Sequence, residues 1–136
     1  YPLRRQRQMC IRDRYMIGGM KTEAGTDRVI PIADKILPLV KNRYDANRRF
    51  LVNNKYGNHY TYGSYVSANF NTVMNKLNMK HLPHDGRHTF ASLMDDAGAN
   101  EVCIKLIMGH SMKNNVTKGV YTHKTTQQLI DEVNKI

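Results

Sequence analysis

The 136-residue chain has no CxxC pair, no apolar run approaching a membrane span, and no charged-then-apolar stretch of the signal-peptide kind. Its two cysteines, Cys10 and Cys103, supply neither a disulfide framework nor a metal-ligand spacing, which points to a reducing, intracellular setting. It also lacks a P-loop, a carboxylate cluster, internal repeats and low-complexity tracts. Acidic residues are scarce: 11 Asp and Glu face 21 Lys and Arg, for a formal charge of +10. Such an excess favours a polyanionic partner, of which nucleic acid is the commonest. What remains is ordinary for one globular domain, with 40% hydrophobic and 24% charged residues.

The local patterns predict a mainly helical α+β body with one small hairpin. Residues 15–32 hold two extended runs, Tyr15-Met16-Ile17 and Arg28-Val29-Ile30, around a turn-rich Ala24-Gly25-Thr26-Asp27, with Lys21 close to the turn. Ala33–Asn42 reads as a short helix with Ile36, Leu39 and Val40 on one face and an early kink at Pro38. Arg49–Val52 reads as a further short strand, and Ser64–Leu77 as a helix with a buried face. Pro83 opens a helix that ends near Gly98. Asn100 caps the next one, EVCIKLIM, which stops at Gly109, and TTQQLIDEVNKI is an amphipathic last helix.

Three short stretches carry candidate chemistry. In HDGRHTF, His84 and Arg87 are i,i+3 neighbours on a helix, so an imidazole and a guanidinium stand side by side. Arg87 lies at the edge of the apolar stripe Phe90-Leu93-Met94-Ala97, where a cation needs an anion, and Asp95 or Asp96 would serve. His84 and His88 are also i,i+4, the spacing of a zinc-binding helix, with Asp85 where the acid would stand. A zinc hydrolase is therefore a second reading, with His81, His110 or Cys103 available as further ligands. Downstream, MGHS places His110 just past a glycine-terminated helix, and VYTH contains Tyr121. Alone, His110 could be a helix-end charge partner and Tyr121 a half-buried aromatic.

Taken in order, GGMKTEAGTDRVIPI, HDGRHTFA, MGHS and VYTH resemble the catalytic domain of the tyrosine recombinase (phage integrase) family. The resemblance covers residues 15–136. It implies a site of Lys21, His84, Arg87, His110 and the nucleophile Tyr121, and a reaction that cuts and rejoins double-stranded DNA through a 3′-phosphotyrosyl link. It implies no cofactor and no metal, because the phosphotyrosyl bond conserves the energy of the bond broken. It further implies a homo-oligomer, a tetramer on paired sites, acting in the cytoplasm on the nucleoid, without a membrane partner. A non-catalytic DNA-binding remnant is the third reading. Two features depart from the family pattern: Gly86 replaces a larger apolar residue, and the His110–Tyr121 segment is slightly long.

The family's first arginine and its upstream DNA-clamping domain have no match here, so this piece is expected to be inactive by itself. Residues 1–14 read differently from the rest. They hold five arginines and show neither helical nor strand periodicity. The string RQRQMCIRD back-translates as AGA CAG AGA CAG ATG TGT ATA AGA GAC, the transposon mosaic-end adapter of sequencing libraries. Residues 1–14 are accordingly expected to be a non-native, adapter-derived segment, and 15–136 a partial catalytic domain. Without that segment, which carries five Arg and one Asp, the net charge falls to +6 and the chain stays basic.

Overall fold

In the computed structural model the described residues are 9–10, 14–19, 22–48, 50–111 and 123–136. Strands β1 (Met9–Cys10), β2 (Tyr15–Gly18) and β3 (Arg28–Pro31) form one antiparallel sheet in that order. The hairpin register pairs Tyr15 with Pro31 and Gly18 with Arg28. Its turn is a compact knot: the Thr22 carbonyl accepts from the Gly25 and Thr26 amides, and the Thr22 hydroxyl accepts from Gly25 N–H at 3.0 Å. Asp27 closes the turn with a left-handed φ of 56°, a conformation that Asp tolerates better than most residues.

Helix α1 (Leu37–Arg43) begins later than its sequence pattern suggests. Pro38 does not kink it. Proline sits in the first turn, where the missing N–H has no intrahelical partner to lose. Among the described residues the expected strand around 50–52 is absent, and only an isolated Asn53–His59 bridge pairs there. The next rod is α2 (Tyr62–Tyr65), a π-helical stretch (Val66–Phe70) and α3 (Asn71–Lys76). Thr61 caps it through the Ser64 amide. The rod's expected buried face is only half covered, and Val73 and Leu77 are exposed.

The core lies on the other side, between β3 and helices α4 (Asp85–Asp96), α5 (Glu101–Met108) and α6 (Thr126–Val133). Met94, Cys103, Ile107, Leu129 and Val133 form it, with Ala33 at the exit of β3. The sequence stripe of α4 narrows to this: Met94 is fully buried, Phe90 is half-buried, and Leu93 remains exposed. α6 is held by a capping box between Thr125 and Gln128 and turns Leu129, Ile130 and Val133 into the protein's own core. The fold is thus α+β and mainly helical, with the sheet docked on a three-helix core.

Candidate active site

The first turn of α4 carries two of the five sequence-derived residues. Asp85 anchors its approach: its carboxylate accepts from Leu82 N–H at 2.9 Å and stands 3.4 Å from His81 Nδ1. The Leu82 amide, then His81, draws the Asp85 carboxyl below its ordinary range. His84 occupies the N-cap and is exposed, with its ring edge-to-face on His88 at 5.2 Å. Arg87 follows one turn later and is half-buried. A Cβ added at Gly86 would meet nothing within 4 Å, so the small residue there leaves an open face rather than a packing fault.

The end of α5 supplies the other wall. Asn100 starts that helix by accepting from the Val102 and Cys103 amides. Gly109 ends it in the left-handed region, at φ 70°, and the His110 amide returns to the Lys105 carbonyl at 2.9 Å. This closure brings the chain out at His110, which is exposed. The carbonyls before it stay available, and two guanidiniums take them. Arg87 Nη2 donates to the Met108 carbonyl, and Arg28 Nε donates to the Ile107 carbonyl at 2.8 Å.

The partner expected for Arg87 is therefore corrected. It is the negative end of a helix and not Asp95 or Asp96, both of which are exposed on the far turn of α4. A carbonyl steadies a guanidinium without cancelling its charge. Arg28 feels this arrangement: burial, and then the nearby Arg87 charge, lowers its pKa from the ordinary arginine value. Two cations thus converge on one helix end.

Arg87 thus forms one corner, where the first turn of α4, with His84 at its N-cap, meets the end of α5 two residues before His110. Lys21 and Tyr121 lie outside the described residues. Among the described residues no group of three His, Cys, Asp or Glu side chains could hold a metal ion. Cys103 is buried in the core, where desolvation raises its thiol pKa, and Asp85 is engaged by Leu82 and His81. The zinc reading of His84 and His88 gains no support from this geometry. Beside the corner runs an open, mostly apolar groove of about 880 Å³, with Arg87 in its wall among Ile30, Ile36, Phe90, Leu93 and Val133.

Arg28 was not among the sequence candidates. At the start of a strand after an Asp it reads as surface charge, and its distant carbonyl partner is invisible locally. The one sequence trace of its role is a set of glycines, Gly19, Gly25 and Gly109, that turn formation alone does not fully explain.

The phage integrase family matches the chain over residues 5–128. A tyrosine recombinase of Thermosipho africanus is 27% identical over 112 residues, covering 81% of this chain and 39% of the relative. The transposase from transposon Tn916 of Enterococcus faecalis is 27% identical over 146 residues, covering 90% and 34%. The tyrosine recombinase XerC of Pelobacter propionicus is 26% identical over 139 residues, covering 93% and 44%. The chain therefore spans between a third and a half of the length of these curated relatives. No solved structure matches the chain at the same stringency.

Proposed function

The chain belongs to the phage integrase family, and from that premise we propose that it is the catalytic part of a site-specific DNA recombinase. The observation that carries the proposal is the corner itself, where Arg87 from α4 is fastened to the end of α5 two residues before His110. A guanidinium fastened to a helix-end carbonyl, with no carboxylate partner among the described residues, suits a phosphodiester better than it suits the fold.

In this proposal Tyr121 Oη attacks the phosphorus of double-stranded DNA. A P–O(Tyr) bond forms, the P–O5′ bond breaks, and the tyrosine proton is lost. Tyrosine has a pKa near 10, so the phosphate must be made electrophilic and its developing charge held. Arg87 binds the non-bridging oxygens, His110 donates to one of them, and His84 donates there or helps carry the tyrosine proton. Lys21 protonates the leaving 5′ oxygen. A 5′ hydroxyl of the second strand then reverses the attack, so no metal or nucleotide is consumed. The intact protein works as a tetramer on paired sites, in the cytoplasm and on the nucleoid. Residues 1–136, which contain no match to the family's first arginine signature, bind DNA without cleaving it.

Residues 1–14 are proposed to be adapter-derived. β1 pairs with β2 through backbone N–H and C=O groups that any sequence offers, so its pairing is indifferent to that origin. Amplification across the junction from genomic DNA would return different codons before codon 15.

The deciding experiment uses the intact protein with its first arginine, on a nicked suicide substrate. A covalent protein–DNA adduct is expected for the parent and for Tyr65→Phe, and none for Tyr121→Phe. An adduct that survives Tyr121→Phe would sink the assignment, and no adduct from any form would leave a DNA-binding protein without catalysis.

A further inference from the structure

Arg28, outside the sequence-derived set, is held by two backbone carbonyls. Its Nε reaches the Ile107 carbonyl at 2.8 Å, and its Nη1 reaches back to the Gly25 carbonyl at 3.0 Å. One planar group thereby joins the hairpin turn to the end of α5. The surroundings are built to admit it. A Cβ on Gly19 would fall 1.8 Å from the Gly25 oxygen and 2.2 Å from Arg28 Nη1. A Cβ on Gly109 would fall 2.8 Å from Gly25 Cα and 3.2 Å from Arg28 Nε. Gly19 and Gly109 have φ of 101° and 70°, so both the space and the backbone demand glycine. Three glycines from β2's exit, the turn and α5's end close around one guanidinium.

Stability alone is a poor reason for this joint. It brings a second positive charge up to Arg87, and the two repel. An apolar side chain would seat the turn without that cost. Arginine adds a rigid two-pronged tie, which fixes the hairpin against the helix end in a single orientation. The segment between Gly19 and Thr22, both held in this joint, is the one that contains Lys21.

We propose that Arg28 is a positioning residue, which locks the Lys21-bearing hairpin to the end of α5, the same helix end that Arg87 holds two residues before His110. It acts through Lys21, at the leaving-group side of the reaction. The inference rests on the strand-transfer reading of the site. It adds to that reading a residue that touches neither the phosphate nor the nucleophile.

The test uses the intact protein with two suicide substrates, one with an ordinary 5′ oxygen at the scissile phosphate and one with a 5′-bridging sulfur. A thiolate leaves without a proton, so the sulfur substrate bypasses the acid. Arg28→Lys keeps the charge but loses the fork, and is expected to slow cleavage of the oxygen substrate by about 100-fold. DNA affinity should change by less than about threefold, and the sulfur substrate should bring the rate back to within about threefold of the parent. Gly25→Ala, which crowds the Thr22 hydroxyl of the turn that Arg28 holds rather than removing a group, should give a smaller loss with the same sulfur rescue. Parental cleavage of the oxygen substrate by folded Arg28→Lys, or an equal loss on both substrates, overturns the proposal. If Arg28→Lys does not fold, Gly25→Ala carries the same two criteria. Lys21→Ala separates the two levels: failure of sulfur to rescue it refutes Lys21 as the acid, whatever Arg28 does.

Discussion

Glu132 shows how single residues hold this small core together. Its carboxylate accepts from the Asn100 amide at 2.7 Å and from Lys135 Nζ at 2.9 Å, so it joins α6 to the N-cap of α5. Lys135 first, and the Asn100 amide second, hold its pKa below the ordinary carboxylate value. A depressed carboxylate adds stability above its unfolded pKa, near about 4.3, and loses it as pH falls through the lower folded value. Glu132→Gln is therefore expected to lower stability at neutral pH and to flatten its decline below about pH 4.3. Denaturant titrations from pH 3 to pH 7 measure both, and parallel curves for the two proteins would contradict the coupling. Asp85, drawn down mainly by the Leu82 amide, adds to the same acid limb.

At the scale of elements, α4, α5 and α6 were legible because their ends carry strong local chemistry. Asn100, Gly98, Gly109 and the Thr125–Gln128 box each close a helix with their own side chain or backbone freedom. The start of α1 and the segment around residue 50 were not legible. A proline suits a helix's first turn as well as a kink, and a four-residue apolar run becomes a strand only if an edge is there to pair it. The amphipathic pattern of the last helix does not say which surface it covers, and packing answers it: Leu129 and Val133 meet Met94, Cys103 and Ile107. Met94, with no exposed surface, is the keystone of that contact. Met94→Ala is expected to cost about 2–5 kcal/mol by leaving a cavity that three helices cannot close. Urea unfolding checks this, and a loss below about 1 kcal/mol would mean that the core collapses onto the gap.

For the whole molecule the dominant property is charge. The chain carries +10 in total, and a basic excess remains without residues 1–14. With DNA as the proposed partner, affinity should fall with salt along a straight log–log line, with slope about 0.9 per phosphate neutralised on the duplex. Arg87→Gln should reduce that slope by about one while weakening binding to all sequences alike. Fluorescence anisotropy across a salt series measures the slope, and an unchanged slope would remove Arg87 from the phosphate-contacting set. The apolar groove beside Arg87 contributes little to this long-range attraction, since its lining is mostly uncharged.

By itself the sequence determined the family to which the chain belongs. HDGRHTFA and MGHS stand out because a helix start and a glycine stop are local structures, encoded by neighbours within a few positions. It likewise determined the basic charge and the order of the core helices. Only the tertiary structure decided what those residues rest on. Arg87 rests on a carbonyl 21 residues away and Arg28 on one 79 residues away. No pattern within a window of the chain encodes such a pairing, because it depends on where α5 ends in space relative to β3 and α4. The corner that assembles the site is a property of packing, and the residues that fill it are a property of the sequence.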